Sequence, residues 1–232
     1  MNKNNIAVVV GGTGSIGAAL ANELKQQGFS QVVTLGRSSQ PMLELTNEAS
    51  IEQAAMFIKS LGKPICLLFD ATGILHDEQN NQMPEKTYKQ INLSFLKKNF
   101  EINTFGPALI IKHFFPLLDS EEQSVFASLS AKVGSIADNK YGGWYSYRAS
   151  KAALNQLIKT ASIELSMKNK KAICVSMHPG TVTSKLSKPF QKEGLTIQSP
   201  EESAKNMIQI LVNLKSQDTG SFFNWDGEKI PW

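Results

Sequence analysis

A glycine-rich turn near the beginning of the sequence constrains the fold more than any other feature. The stretch VVVGGTGSIGAALANEL (8–24) sets Gly12, Gly14 and Gly17 in a G-x-G-x-x-G pattern, between an apolar run and a segment with helical spacing. Glycines so spaced let the backbone turn tightly and approach a pyrophosphate, whose charge the helix N-terminus stabilises. The turn therefore predicts a dinucleotide-binding βαβ unit; the alternative is a glycine-rich turn without a ligand.

Apolar runs and helical segments alternate along the whole sequence. Such alternation indicates a parallel sheet with helices on both faces, because each right-handed crossover covers one side of the sheet. We therefore expect a doubly wound, Rossmann-type α/β fold, formed as a single domain by residues 1–232. The predicted strands are 6–10, 31–35, 65–69, 124–130, 172–177 and 220–225, and further helices are predicted around 100–118, 147–167 and 200–214.

Charge and cysteine content narrow the class of protein. The net charge of +4 arises from 24 basic and 20 acidic residues that are mixed along the chain, so no basic block favours nucleic-acid binding. Cys66 and Cys174 lie inside apolar runs and are interpreted as buried hydrophobic residues, neither paired in a disulfide nor bound to a metal. No apolar stretch is long enough to span a bilayer. These features together predict a cytoplasmic protein without a metal site.

The end of the second predicted strand suggests which dinucleotide binds. An NAD site places an acidic residue about twenty residues after the glycines, whereas this sequence reads TLGRSSQ (34–40) there, with Arg37 and no acid before Glu44. A guanidinium pairs with a 2′-phosphate and gains little from two neutral ribose hydroxyls. Arg37 therefore favours NADP(H); the alternative is an exposed arginine at a strand end.

A tyrosine and a lysine lie one helical turn apart in YSYRASK (145–151). Residues i and i+4 share a helix face, so we expect the Lys151 ammonium beside the Tyr147 phenol. A nearby cation favours phenolate, so we expect a lowered Tyr147 pKa that suits general acid or base catalysis. The alternative is two polar residues on a solvated helix face.

Four motifs together resemble the short-chain dehydrogenase/reductase family. They are the glycine turn, Y-x-x-x-K at 147–151, INTFG at 102–106 and HPGTVTS at 178–184, in the order and spacing of that family. The stretch from 130 to 155 and the DGEKIPW segment at 226–232 are similar to its C-factor-like branch. The resemblance covers essentially the whole chain and implies a sheet of about seven strands.

The resemblance also implies roles for individual residues. Tyr147 would protonate the carbonyl oxygen as hydride arrives, Lys151 would hold the nicotinamide ribose and keep the phenol acidic, and Asn103 would steady a water leading to Lys151. Glu44 takes the place of the adenine-side aspartate that follows the family's third strand. The residues implied to contact NADP(H) are Gly11, Gly12, Thr13, Gly14, Ser15, Ile16, Gly17, Arg37, Ser38, Glu44, Leu45, Ala71, Thr72, Gly73, Tyr147, Lys151, Pro179, Gly180 and Val182.

The sequence departs from the family's pattern near the reacting groups. The usual serine pair after the fifth strand reads Ser130-Ala131; we assign the carbonyl-orienting hydroxyl to Ser130, with Ser135 as the alternative. The Asn-Ala-Gly signature of strand four reads Ala71-Thr72-Gly73, which removes a side chain that ties neighbouring strands together.

Segments near these motifs carry further expectations. The stretch 76–94 is expected to be an exposed excursion. The segment from Ser184 to Ser199 corresponds to the family's substrate lid, and Trp144 and Phe190 could supply an aromatic wall.

Two functions follow as hypotheses. The first is NADPH-dependent reduction of a small-molecule carbonyl, or the reverse oxidation. The second is a nucleotide-binding signalling or regulatory protein with little turnover, which Ala131 favours. The resemblance also implies a homodimer or homotetramer.

Overall fold

The computed structural model describes residues 1–77, 80–183 and 197–232. Within these ranges, six parallel strands form one sheet in the order β2-β1-β3-β4-β5-β8, and two short strands, β6 and β7, pair beside it. The strands are β1 (Ile6–Val10), β2 (Gln31–Leu35), β3 (Ile65–Asp70), β4 (Ser124–Leu129), β5 (Ala172–His178), β6 (Thr181–Val182), β7 (Ile197–Gln198) and β8 (Phe222–Asn224).

Helices cover both faces of the sheet. One face packs on α1 and α6 through residues such as Leu20 and Met207, and the other packs on α2, α4 and α5 through residues such as Ile51 and Leu154. The helices are α1 (Ser15–Gln26), α2 (Glu48–Ser60), α3 (Leu93–Phe100), α4 (Gly106–Phe114), α5 (Tyr145–Lys168) and α6 (Pro200–Asn213). A π-helical turn, Glu101–Phe105, joins α3 to α4.

The inner strands β1, β3, β4 and β5 pass through the middle of this sandwich and bury both of their faces. Within β1, Ala7 and Val9 pack toward α1 and α6, while Ile6, Val8 and Val10 pack toward α2 and α4. This alternation explains the near-continuous apolar runs, since successive side chains of a strand point to opposite faces. The doubly wound α/β prediction is confirmed, and each of the six predicted strands is present.

Among the described residues the main sheet has six strands, and two more form the small β6–β7 sheet, where the resemblance implied about seven in all. The described residues 36–47, where the resemblance implied a strand before Glu44, contain no strand. Ser39 Oγ accepts a hydrogen bond of 2.9 Å from Gly36 N. It also donates a hydrogen bond of 2.6 Å to the Pro41 carbonyl. Because proline also lacks an N–H, this segment forms a compact loop and not a ladder.

The strand order reverses between β1 and β3, since β2 lies on one side of β1 and β3 on the other. Ligands of doubly wound sheets bind in the crevice at the carboxyl ends of the strands beside such a reversal. The glycine turn, the residues after β3 and the residues after β4 all meet at this edge, and α5 crosses beneath it with its N-terminus toward the crevice.

Candidate active site

The glycine turn brings the N-terminus of α1 to the crevice. Gly14 is the N-cap of this helix, so no side chain occupies the first backbone N–H groups. A Cβ on Gly17 would collide with the Gly11 carbonyl, so only glycine allows α1 to lie this close to β1. The first turn of α1 also contains no acidic residue. These features fit a pyrophosphate, which needs close backbone approach and unopposed N–H groups.

Two connected cavities form a cleft along this edge. One has a volume of about 360 Å³ and reaches the tyrosine and lysine, and the other, of about 520 Å³, extends toward the end of β2. They share Thr13, Gly14, Ala71, Thr72 and Gly73. Ser15, Ile16, Gly17, Ser130, Tyr147, Lys151 and Pro179 line only the first cavity, and Gly11, Arg37, Glu44 and Leu45 line only the second.

The remaining predicted site residues lie around the cleft without lining it. Gly12 packs on Thr34, where an added Cβ would approach to 2.6 Å. Ser38 is exposed beside Arg37, while Gly180 and Val182 follow β5. Asn103 lies behind the cleft. Most of the predicted lid from Ser184 to Ser199, including Ser184 and Phe190, lies outside the described residues.

Lys98 is a residue of the second cavity that the sequence motifs did not indicate. It lies on α3 and forms an ion pair with Asp77. Arg37 and Asp77 line the same cavity, and the ion pair with Asp77 balances the charge of Lys98. Its spacing matches no phosphate-binding motif, so only the fold brings it there.

Tyr147 and Lys151 line one cavity, as their helical spacing predicted. Both are buried, with 8% of Tyr147 and 3% of Lys151 exposed. Lys151 Nζ donates a hydrogen bond of 2.7 Å to the carbonyl of Leu129, the last residue of β4. This bond fixes the ammonium at the end of β4, beside the cavity that Leu129 also lines.

The predicted lowering of the Tyr147 pKa is wrong, because burial raises the pKa of this phenol. The phenol packs in an apolar cluster with Leu75 and Ala131, where phenolate is poorly solvated. Burial also lowers the pKa of Lys151 to about 8, against the opposing effect of the Asp70 carboxylate. A protonated phenol at neutral pH suits the donation of a proton to a substrate.

Asn103 connects three segments behind Lys151. Its Oδ1 accepts a hydrogen bond from Ile74 N at 2.8 Å, and its Nδ2 donates to Ile74 O at 2.9 Å and to Ser150 Oγ at 3.1 Å. A Cβ on Gly73 would lie 3.3 Å from both Asn103 Oδ1 and Lys151 Nζ, so both atoms face the same point. Asn103 lies in the π-helical turn, a feature frequent at functional sites.

The two candidate serines have different surroundings. Ser130 Oγ is buried beside the first cavity and has no hydrogen-bond partner among the described residues. Ser135 Oγ instead donates to the Pro231 carbonyl at 2.5 Å and accepts from Asp138 N at 3.1 Å. The geometry therefore favours Ser130 over Ser135 as the hydroxyl that is free to contact a ligand.

Asp70 is a buried carboxylate that the motifs missed. It accepts hydrogen bonds from Thr72 N and Thr72 Oγ1, and Ser128 Oγ donates to its second oxygen at 2.8 Å. Burial raises its pKa, while these hydrogen bonds and the Lys151 charge act in the opposite direction. Asp70 thereby ties β3 to β4, the connection expected to be lost with Ala71.

Fold and cleft together define a Rossmann-type protein whose nucleotide cleft ends in a buried tyrosine, lysine and serine. A family model described as short chain dehydrogenase matches residues 5–194. The chain belongs to the short-chain dehydrogenase family. The predicted resemblance and the predicted oxidoreductase class are thereby confirmed.

Several known proteins resemble the chain over its length. The 1-hydroxy-2-glutathionyl-2-methyl-3-butene dehydrogenase of Rhodococcus sp. strain AD45 is 27% identical and covers 97% of this chain and 98% of its own. An uncharacterized oxidoreductase of Schizosaccharomyces pombe is 30% identical over 98% of this chain and 97% of its own. The C-signal protein of Myxococcus xanthus is 30% identical over 61% of this chain and 81% of its own.

Solved structures show the same architecture. The NADPH-bound carbonyl reductase from chicken fatty liver superimposes with a TM-score of 0.85, 25% identity and full coverage of both chains. The carbonyl reductase Sniffer of D. melanogaster has a TM-score of 0.82 at 22% identity, covering 99% of each chain.

In the part of the chain that the structure describes, no helix is long and apolar enough to cross a membrane, and no group of three metal-ligating side chains is found.

Proposed function

We propose that this protein is an NADP(H)-dependent oxidoreductase that reduces a carbonyl group of a small molecule, or oxidises the corresponding alcohol. The observation that carries the proposal is the Ser130 hydroxyl, which has no hydrogen-bond partner within the described ranges and shares a cavity with Tyr147 and Lys151 beside the glycine turn. Three groups suited to binding and protonating a carbonyl oxygen thus meet where a nicotinamide ring would lie.

The residues of the cleft fit NADP(H) as the cofactor. The open N-terminus of α1 would hold the pyrophosphate, and the exposed Arg37 would face the 2′-phosphate. The chicken carbonyl reductase, which is 25% identical, is NADPH-bound, which supports the same assignment. When bound, NADPH supplies the hydride.

Each catalytic side chain has a distinct task in the reduction. Ser130 Oγ donates a hydrogen bond to the carbonyl oxygen and orients it. The Tyr147 hydroxyl, kept protonated by burial, donates its proton to the same oxygen. The Lys151 ammonium stabilises the negative charge that develops there and holds the nicotinamide ribose, while Asn103 fixes the backbone at Ile74 and Gly73 around it.

The proposal is tested by measuring turnover and by removing the hydroxyl oxygen of Tyr147. Purified protein is titrated with NADPH and NADH, and nicotinamide absorbance is followed with a panel of carbonyl compounds. We expect turnover with NADPH, and a loss of kcat of about 10²-fold or more in Tyr147→Phe with the NADPH Kd unchanged. Tight NADPH binding without turnover across the panel would instead favour the regulatory function, which the match to C-signal makes the second candidate.

We also propose that the 232 residues form one nucleotide-binding domain and assemble as a homodimer or homotetramer in the cytoplasm. Exposed apolar side chains near α4 and on α5, including Phe105 (55% exposed) and Ile163 (48%), support the assembly. Light scattering that detects only monomer would contradict it.

A further inference from the structure

The chain enters α5 through three consecutive residues in the left-handed region. Gly142, Gly143 and Trp144 have φ values of 64°, 66° and 53°. The two glycines adopt this conformation readily, but a tryptophan does so only at a cost in conformational free energy, so surrounding contacts must maintain it. Trp144 is also the N-cap of α5, and tryptophan is not a capping residue. Another group must therefore hold the beginning of the helix that carries Tyr147 and Lys151.

Glu85 contacts both Trp144 and the first turn of α5. Its backbone carbonyl accepts a hydrogen bond from Trp144 N at 2.5 Å. Its carboxylate accepts a bond of 3.2 Å from Ser146 N and a second bond from Ser146 Oγ. One residue thereby fixes the left-handed tryptophan and the first turn of α5 at once.

The burial of Glu85 makes this connection specific. The residue is 2% exposed, and no ion pair to it is found among the described residues. A buried carboxylate is stable only where donors and a favourable field replace water, and the N-terminus of a 24-residue helix supplies both.

The stretch 76–94 was predicted to be an exposed excursion; this is wrong for Asp77, Pro84 and Glu85, which are buried.

The tryptophan held in this way packs beside the reacting groups. Its ring lies 6.2 Å from the Tyr147 ring, with an interplanar angle of 69°, an edge-to-face contact. Trp144 and Val133 pack against the cluster of Leu75, Ala131 and Tyr147. This apolar surface adjoins the cavity in which Ser130 and Tyr147 would contact the carbonyl oxygen. Tyr147 lines that cavity itself, and the Trp144 ring packs on it, so the indole lies next to the Tyr147 wall of the cavity.

We propose that Glu85 is a positioning residue of the active site, which holds Trp144 and the first turn of α5 so that the indole forms a fixed apolar wall beside Tyr147. The substrate class that such a wall recognises is a carbonyl compound with an aromatic or branched apolar substituent. The inference rests on the proposed reductase function. Glu85 acts through Trp144 and Ser146 and does not itself touch the reacting atoms.

The test compares Glu85→Ala and Glu85→Gln with a matched control. Asp119 is likewise a buried carboxylate, 3% exposed, that accepts two backbone N–H bonds, from Glu121 and Glu122, but it precedes β4 at the opposite edge of the sheet. Steady-state kinetics are measured with 4-nitrobenzaldehyde and with propanal. Glu85→Ala should raise KM for the aromatic aldehyde about tenfold and for propanal at most about twofold, with NADPH affinity unchanged.

The other variants separate positioning from general destabilisation. Glu85→Gln keeps one acceptor for Ser146 and should lie between wild type and Glu85→Ala. Asp119→Ala should lower the melting temperature without changing the ratio of the two KM values. In a Trp144→Ala background, Glu85→Ala should raise KM little further, because both changes remove the same wall. Equal KM increases for both aldehydes, or fully additive effects with Trp144→Ala, would overturn the proposal.

A second measurement does not depend on turnover. In protein labelled with 5-fluorotryptophan, the Trp144 resonance, assigned through Trp144→Phe, should shift or broaden in Glu85→Ala, while those of Trp225 and Trp232 stay unchanged. An unmoved Trp144 resonance contradicts the positioning role even if the protein proves to be a reductase. Conversely, a moved resonance in a protein that turns over neither aldehyde would leave the Glu85 contact standing and count against the reductase function and the substrate wall.

Discussion

The proposed coenzyme end and the proposed catalytic end of the cleft offer different kinds of group to a ligand. At the coenzyme end, the groups available to a ligand are backbone N–H groups of a glycine turn and the exposed side chain of Arg37. At the catalytic end, the side chains of Ser130, Tyr147 and Lys151 are all nearly buried and are surrounded by packed or hydrogen-bonded neighbours. The first end depends on local backbone geometry, whereas the second depends on contacts between distant segments. Substitutions at the coenzyme end should therefore change nucleotide affinity, and substitutions at the catalytic end should change kcat.

The largest effect is expected from removing the unpartnered hydroxyl at the catalytic end. Ser130→Ala should lower kcat by about 10²–10³-fold, because a hydrogen bond that strengthens as charge develops on the substrate oxygen is lost. NADPH affinity should stay unchanged. Ser135→Ala is the matched variant, and it should alter stability more than kcat, because that hydroxyl already bonds Pro231. A larger loss of kcat in Ser135→Ala would reverse the assignment.

A change at the coenzyme end should act on affinity alone. Arg37→Asp should weaken NADPH binding by about 10- to 100-fold, because a charge-assisted pair with the 2′-phosphate becomes a repulsion. NADH, which lacks that phosphate, should bind nearly as before, and kcat at saturating NADPH should change little. The comparison is made by fluorescence titration with each nucleotide. An equal loss for both nucleotides would show that Arg37 supports the loop and does not select the cofactor.

The smallest effect should be a shift in the pH dependence of kcat/KM for reduction. Burial lowers the pKa of Lys151 to about 8, so its proton, and with it kcat/KM for reduction, should be lost as pH rises through that value. Asp70 opposes this lowering, so Asp70→Asn should move the alkaline limb to lower pH. Ser128 can turn its hydroxyl to accept from the new amide, which preserves the connection between β3 and β4. An unmoved limb would mean that Asp70 carries no charge.

Much of the fold was predictable because its signals are local. The strands of the main sheet are apolar enough to be recognised from their sequence, and the glycine spacing marks the turn that α1 requires. Ser130 was assigned from its position in the sequence, but only the structure shows that its hydroxyl lies beside the cavity without a partner among the described residues, while that of Ser135 is bonded.

The predictions that failed concern contacts between segments far apart in the sequence. Spacing on a helix places Lys151 near Tyr147, but the direction of the phenol's pKa depends on how deeply Leu75 and Ala131 bury it. Asp70 and Glu85 match no motif, because their importance comes from Ser128 and Ser146, which lie about sixty residues away. The strand that the resemblance implied before Glu44 is a local exception, since the described residues there form a loop.

The bond from Ser135 to Pro231 also has a consequence for the order in which the protein folds. It spans 96 residues, and the neighbouring Ala137 N–H donates to the carbonyl of Trp232, whose ring stacks on Phe222 of β8. Contacts of such long sequence separation form late, because a large loop must close before they do. The first βαβ unit can thus complete the glycine turn early, while the loop after Ser130 waits for β8 and residues 231–232. Catalytic competence should therefore arise after nucleotide binding during refolding.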